Sequence, residues 1–271
     1  MIEFDSVSFT HQTGTNALDD INLRIKSGEI VAVVGENGAG KTTLIKHING
    51  LLKPTLGRVV VFGTDTKKAS IAQLSRRVGI VFQNPDHQLF SESVEDEVAF
   101  GLRNFHLGEE DISAKVTSAL NDFGLIQYRH TSPMMLSGGE KKRLCVAMIR
   151  AWDPDILILD EPTVGQDMIQ KDRLSKIVRD MHEQGKTVIL VSHDVEFLWS
   201  IRPRIIVMTN GRILEDGSSD SVFNNLEVLR KSNVVTPQLV YLSKSLGIKP
   251  TQLFQNAEMA CERLLPRVRG S

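Results

Sequence analysis

Apolar and polar residues alternate at Ile2, Phe4 and Val7 and again along Ile21-Asn22-Leu23-Arg24-Ile25, the period-two pattern of strands with one buried face. A Ser27-Gly28 turn then leads into Ile30-Val31-Ala32-Val33-Val34, an uninterrupted apolar run. Residues 2–34 therefore read as β. Further strands are expected at 58–62, 78–82, 156–160 and 187–192, alternating with helical stretches such as 169–184. That alternation predicts a layered α/β core with a parallel sheet.

Between Gln83 and Asp155 the strand signal disappears. Residues 94–100, 114–123 and 141–152 read as helices, so a helical subdomain is placed at about 88–152. Ile205-Ile206-Val207-Met208 and Arg212-Ile213-Leu214 flank Asn210-Gly211, a dipeptide suited to a type I′ turn, which predicts a hairpin near 204–215. Beyond Asp216-Gly217 the pattern turns helical. Residues 237–246 carry helical spacing, then Gly247 and Pro250 precede a final helix near 251–264, and 267–271 read as a frayed end. The expected division is a main domain over 1–217 and a C-terminal helical extension over 218–271. That extension is either extra packing on the core or a dimerisation or regulatory element.

Chemistry enters at the end of the first long apolar run. Gly35-Glu36-Asn37-Gly38-Ala39-Gly40-Lys41-Thr42-Thr43 fits G-x-x-x-x-G-K-[ST], and it lies between a strand and the helix-like Leu44-Ile45-Lys46-His47-Ile48. Free of side chains at Gly35, Gly38 and Gly40, the backbone can curl so that successive N–H groups face phosphate oxygens, reinforced by the helix dipole. Lys41 would reach the β- and γ-phosphates and the Thr42 hydroxyl would ligate Mg²⁺. A glycine-rich turn that merely precedes a helix is the simpler alternative.

Four further segments are weaker alone. Ser137-Gly138-Gly139-Glu140 opens a helix, for which Ser137 could be no more than the N-cap. An apolar strand ends in Asp160-Glu161, where Asp160 suits a Mg²⁺-linked position and Glu161 can orient and deprotonate a water; a solvated loop is the alternative. Gln83 and His193 each follow a strand-like run, and a lone His there is usually structural.

The order P-loop, Gln, Ser-Gly-Gly, Asp-Glu, His resembles the nucleotide-binding subunits of ATP-binding cassette (ABC) proteins, over about residues 2–217. The resemblance implies an α/β P-loop NTPase core with an antiparallel β subdomain, a helical subdomain and a small C-terminal helical extension, using ATP and Mg²⁺. It implies that residues 35–43 hold the phosphates, that Thr42 and Gln83 approach the metal, and that Asp160 supports its shell. Glu161 would be the general base and His193 a γ-phosphate contact. Residues 137–140 would bind the γ-phosphate in the P-loop of a second cassette, identical or paralogous, paired head to tail. His11 stands where the family usually stacks an aromatic residue on adenine, a task Phe9 could take over. Glu140 replaces the more frequent Gln, and Val164-Gly165-Gln166-Asp167 is an unusual version of the loop after the base, although Asp167 itself matches.

Composition removes some classes. With 32 Lys+Arg against 33 Asp+Glu the net charge is −1, which argues against general nucleic-acid binding. Cys145 and Cys261 lack metal-ligand spacing and read as reduced thiols. No apolar run approaches the ~20 residues of a spanning helix, and residues 1–5 lack a charged and apolar leader. A transport role would then require docking to separate membrane chains.

The segment Asn84-Pro85-Asp86-His87-Gln88-Leu89-Phe90, followed by residues 93–101, closely resembles the ATPases of energy-coupling-factor and cobalt or nickel importers, and Leu246-Gly247-Ile248-Lys249-Pro250 points the same way. The resemblance implies an integral membrane coupling protein and a substrate-binding membrane protein as partners, a place at the cytoplasmic face of the membrane, and a vitamin or metal ion as solute. Leu89 and Phe90 are apolar in a polar loop, suitable as docking contacts or as core plugs. Alternatives are a soluble cassette acting on nucleic acid or in protein-complex assembly, or the ATPase of another ABC transporter class.

Overall fold

The computed structural model describes residues 1–248 and 259–260. Apart from 259–260, which are helical, the helix expected near 251–264 and the end at 267–271 lie outside the described residues, as does Cys261. Two sheets form the frame. In the first, β1 (Ile2–Thr10), β2 (Asn16–Ile25), β4 (Leu56–Val61) and β5 (Thr64–Asp65) pair antiparallel in the order β2-β1-β4-β5. The second contains β3 (Ile30–Val34), β6 (Val78–Val81), β7 (Ile156–Asp160), β8 (Thr187–Val191) and β9 (Arg204–Thr209) in parallel, with β10 (Arg212–Ser218) antiparallel at its edge. Its order is β10-β9-β3-β8-β7-β6.

The strand expected at 58–62 forms as β4 but joins the antiparallel sheet, not the parallel one. Its burial shows why. Leu56, Gly57 and Arg58 are exposed while Val59 and Val61 are buried, whereas β6, β7 and β8 are buried at every position. A strand covered on both faces suits a parallel sheet between layers, and a half-solvated strand suits an antiparallel one.

Alternation along the parallel strands divides the interior into two cores. Ala32, Val34, Leu157, Leu159, Val188 and Leu190 point to one side, where the helices lie. Val31, Val33, Ile156, Ile158, Ile189 and Val191 point to the other, against the antiparallel sheet and α1 (Lys41–Ile48), whose Leu44, Ile45 and Ile48 fill that side. The strand carrying the glycine loop is thus clamped on both faces.

After α2 (Ile71–Ser75), the described regular structure between β6 and β7 is helical: α3 (Val94–Asn104), α4 (Glu109–Asp122) and α5 (Gly138–Trp152), which pack on one another, with 3-10 turns between them. Both α4 and α5 start earlier than their apolar spacing indicates. Glu109, Glu110 and Asp111 supply an acidic first turn to α4, and Ser137 and Glu140 close a capping box on α5.

Beyond α6 (Met168–Glu183) and α7 (Val195–Ile201), the β9–β10 hairpin turns at Asn210 and Gly211, both at positive φ (48° and 76°), as the Asn-Gly pair predicts. Then α8 (Ser219–Asn224), α9 (Leu226–Lys231) and α10 (Gln238–Ser245) follow, with Val222, Phe223, Leu229 and Val240 in the helical-side core. Cys145 is buried there, its thiol pushed up to about 12 by burial and so held as an inert thiol. Among the described residues no helix is long and apolar enough to cross a membrane.

Candidate functional site

Strands β3, β8 and β7 are parallel neighbours, so the segments leaving their C-terminal ends meet at one edge of the sheet. That edge gathers the glycine loop after β3, Asp160 and Glu161 at the end of β7, and His193 two residues after β8. Lys41 is the first residue of α1, whose first turn carries no acidic side chain, leaving its positive dipole end uncompensated for an anion. The loop packs so closely on β9 that a Cβ at Gly35, where φ is 142°, would fall 2.0 Å from the Met208 carbonyl oxygen.

Lys41 is buried, and its Nζ donates to the carbonyls of Gly35 (2.7 Å) and Glu36 (2.8 Å). Burial lowers its pKa, opposed by the carboxylates of Glu161, Asp160 and Glu36. Thr42 Oγ1 donates to Asp160 Oδ2 at 3.0 Å. Asp160 is buried, which raises its pKa against the pull of that hydrogen bond. Two hard oxygen donors therefore sit beside a lysine at a helix N-terminus.

Glu161 adopts φ 49°, left-handed for a residue with a side chain. Its N–H donates to the Val191 carbonyl (2.8 Å), and its Oε2 accepts from the His193 N–H (3.3 Å). His193 Nε2 lies 3.4 Å from Glu161 Oε1. Burial raises the Glu161 pKa, the His193 N–H opposes it, and Asp160 adds to the rise. Burial and then Lys41 lower that of His193, so the imidazole is neutral at pH 7 and faces Glu161 without an ion pair. A carboxylate made more basic beside a neutral imidazole is equipped to accept a proton from water.

The remaining candidates stand apart from this cluster. Gln83 is exposed just past β6. Its loop is pinned by Gln88, whose Oε1 accepts from the Phe82 N–H (2.8 Å) and whose Nε2 donates to the Ile80 carbonyl (3.0 Å). His11 stacks edge-on against Phe9 (4.9 Å between centroids), and Phe9 in turn meets His47 of α1 (4.9 Å). Ser137 and Glu140 bond to each other (Oγ to Oε2, 2.7 Å) at the start of α5, with Gly138 and Gly139 in its first turn. Among the described residues, 137–140 make no hydrogen bond with the P-loop of their own chain. Gly139 instead lies against Gly165 and Gln166. Leu89 and Phe90 separate: Leu89 is 4% exposed and joins the core, whereas Phe90 is 61% exposed and packs edge-on against Phe100 at 4.8 Å.

Residues 18–164 match the model of the family described as ABC transporter. The chain is 42% identical over 245 residues to the energy-coupling factor transporter ATP-binding protein EcfA2 of Clostridium tetani, covering 89% of this chain and 85% of that one. The chain belongs to the ABC transporter family.

Other relatives of this ABC cassette agree in extent. A putative ABC transporter ATP-binding protein of Pyrococcus furiosus is 43% identical, covering 93% of this chain and 96% of its own. Among solved structures, cbiO1 of Clostridium perfringens, part of the ABC transporter complex cbiONQ, superimposes with a TM-score of 0.74 at 36% identity, covering 91% of this chain and 98% of that one. The ATP-binding cassette MJ0796, a dimer in a post-hydrolysis state with ADP and phosphate, gives 0.75 at 27% identity over 81% of this chain and 99% of its own.

Three residues around the cassette site escape sequence reasoning. Lys142 Nζ, buried, donates to the carbonyls of Glu161 (2.5 Å) and Val164 (3.3 Å). Its spacing to Cys145, Val146 and Ile149 places it on the buried stripe of α5, a signal available in the sequence. Thr209 Oγ1 and Asn233 Nδ2 donate to opposite oxygens of Glu36, at 3.2 and 2.8 Å. Nothing local marks Asn233, which lies 197 residues away along the chain.

Proposed function

We propose that this cassette is the ATP-hydrolysing subunit of a membrane importer of the energy-coupling-factor type. It works as a head-to-tail pair with a second cassette at the cytoplasmic face of the membrane. The observation that carries the chemistry is the convergence of Lys41, the Thr42–Asp160 hydrogen bond and the Glu161–His193 contact at one sheet edge. Relatives named energy-coupling factor transporter ATP-binding proteins, one of them 42% identical across 89% of the chain, support the transport assignment.

The donor set fits Mg²⁺. A threonine hydroxyl and a carboxylate are hard oxygen ligands, and among the described residues there is no group of three or more His, Cys, Asp or Glu that would hold a metal by protein ligands alone. Mg²⁺ commonly takes one or two protein oxygens and completes its shell with phosphate and water. Thr42 and Asp160 would hold it, with Gln83 reaching in from its exposed loop, and the ion would neutralise charge on the terminal phosphates. Lys41 exchanges its two backbone carbonyls for phosphate oxygens, the N–H groups of residues 36–43 cradle them, and Phe9 or His11 covers the base. Glu161 accepts the proton of the attacking water, and neutral His193 donates to the γ-phosphate. Residues 137–140, which among the described residues make no hydrogen bond with their own P-loop, serve the partner's.

Coupling to the membrane follows from the loop after Gln83. It holds the exposed Phe90 on a segment pinned to β6, so a membrane coupling protein seated there senses whether Gln83 is engaged. ATP closes the pair, brings the two docking surfaces together and reorients the membrane proteins; hydrolysis reopens it. The solute, a vitamin or a cobalt or nickel ion, is bound by a separate membrane protein. The test is to purify the chain from detergent-solubilised native membranes and identify what accompanies it by mass spectrometry. An integral membrane coupling protein, with a small substrate-binding membrane protein, is expected. Recovery of soluble proteins or nucleic acid alone would overturn the transport assignment and leave the ATPase chemistry intact.

A further inference from the structure

Glu161 holds a left-handed backbone (φ 49°) that a residue with a side chain keeps only where its surroundings impose it. Two hydrogen bonds impose it here. The N–H is anchored on the Val191 carbonyl of β8, and the carbonyl is anchored by the Lys142 ammonium, which also reaches the Val164 carbonyl. Lys142 is 6% exposed on the second turn of α5, the helix whose first turn is formed by Gly138, Gly139 and Glu140. A buried ammonium spanning two carbonyls fixes the start of the loop that leaves the base, from Glu161 to Val164. Gly139 lies against the same loop at Gly165 and Gln166.

We infer that Lys142 is a positioning residue that holds Glu161 in register with the helix start at 137–140, so that one chain's general base and its γ-phosphate-binding turn move as a unit. In a head-to-tail pair these two features serve different ATP sites, because Glu161 acts on the chain's own nucleotide and residues 137–140 on the partner's. Lys142 then links the two sites within each chain, and engagement of one nucleotide places the base for the other. This link rests on the pairing proposed above. The positioning of Glu161 does not.

The test compares ATP hydrolysis by the full chain carrying Lys142→Met, Lys142→Gln or Lys142→Arg, with binding of a fluorescent ATP analogue and melting temperature measured on each. Lys142→Met removes the donor at similar length and should lower kcat about tenfold, since small misplacement of a catalytic group costs rate steeply. KM and analogue affinity should stay within about twofold, because no phosphate contact is lost. The Hill coefficient for ATP should fall toward 1. Lys142→Arg, which keeps a cationic donor, should recover most of kcat, and Lys142→Gln, a shorter donor, should fall between. Wild-type kcat in Lys142→Met would overturn the assignment. So would equal losses in the Met and Arg variants with parallel drops in melting temperature, which would mark a packing role. A wild-type chain that hydrolyses ATP as a monomer would remove the inter-site link alone, recognisable because the kcat loss in Lys142→Met would persist. If Lys142→Met fails to fold, wild-type kcat and Hill coefficient in Lys142→Gln would overturn both parts.

Discussion

Glu161 carries two opposed demands, and both can be measured on one substitution. Its burial raises the carboxyl pKa, so the ionised form that accepts a proton is held at a cost to stability. Glu161→Gln removes the proposed base while the amide oxygen can still accept from the His193 N–H. Turnover should fall by at least about a hundredfold, the lower range for losing a general base, with ATP binding and closure of the pair retained. Hydrolysis at the normal rate would exclude Glu161 as the base. The same variant should be more stable than wild type at pH 7 in the absence of nucleotide and metal, by about 1.4 kcal/mol for each unit of pKa elevation. The sign follows from linkage: the native state takes up the proton at a higher pH than the unfolded chain, so native wild type gains stability as pH falls through the raised pKa. The advantage of the Gln variant should therefore shrink on acidification and vanish below the ordinary carboxylate value of 4.5. Chemical denaturation at pH 7 and pH 4 measures both ends, and an advantage that is constant with pH would show that charge burial is not its origin.

The glycine loop behaves as an element whose positions are unequal. Gly35 and Gly38 both have positive φ, 142° and 83°, yet a Cβ at Gly35 meets the Met208 backbone at 2.0 Å while one at Gly38 meets nothing within 4 Å. Gly38→Ala should cost only the left-handed backbone preference, about 1 kcal/mol, or a few degrees in melting temperature. Gly35→Ala must displace either the loop or β9, and should lose nucleotide binding together with at least twice that stability. Equal melting shifts for the two would contradict the close packing of Gly35 on Met208. The motif alone does not separate them. Sequence reasoning reads the loop from its glycines, the parallel strands from their unbroken apolar runs, and the β9–β10 turn from Asn210-Gly211, because these signals are local. It places β4 in the wrong sheet, because a short Val-rich run does not state which partner it will pair with, and only the exposure of Leu56 and Arg58 decides it. It starts α4 late because Glu109, Glu110 and Asp111 act through the helix dipole and not through apolar spacing. Leu89 and Phe90 are equivalent in sequence and opposite in the fold, since one residue of strand or turn reverses which of two neighbours faces inward.

At the scale of the whole molecule the helical segment after β10, the start of the proposed C-terminal extension, touches the glycine loop. Asn233 follows α9 at φ 53° and donates from Nδ2 to Glu36 Oε2 at 2.8 Å, while Thr209 of β9 donates to Oε1 at 3.2 Å. The Glu36 carbonyl accepts from Lys41. One P-loop residue thus joins the segment beyond β10, the edge of the parallel sheet and the buried Lys41, a convergence of distant segments that no sequence window contains. If the extension sets the loop, removing the Asn233 side chain should weaken ATP binding without changing the chemistry. Asn233→Gly is the suitable substitution because glycine accepts the positive φ, which isolates the hydrogen bond from the backbone conformation. Loss of a hydrogen bond to a partly exposed carboxylate is worth about 1 kcal/mol, which predicts a rise in KM for ATP of roughly fivefold with kcat held. Combined with Glu36→Ala, which leaves no acceptor for the Asn233 amide, the two effects should be less than additive, because each removes the same contact. An unchanged KM in Asn233→Gly, or strict additivity in the double variant, would reduce the extension to packing on the helical-side core and leave the P-loop held by β9 and the turn that follows it.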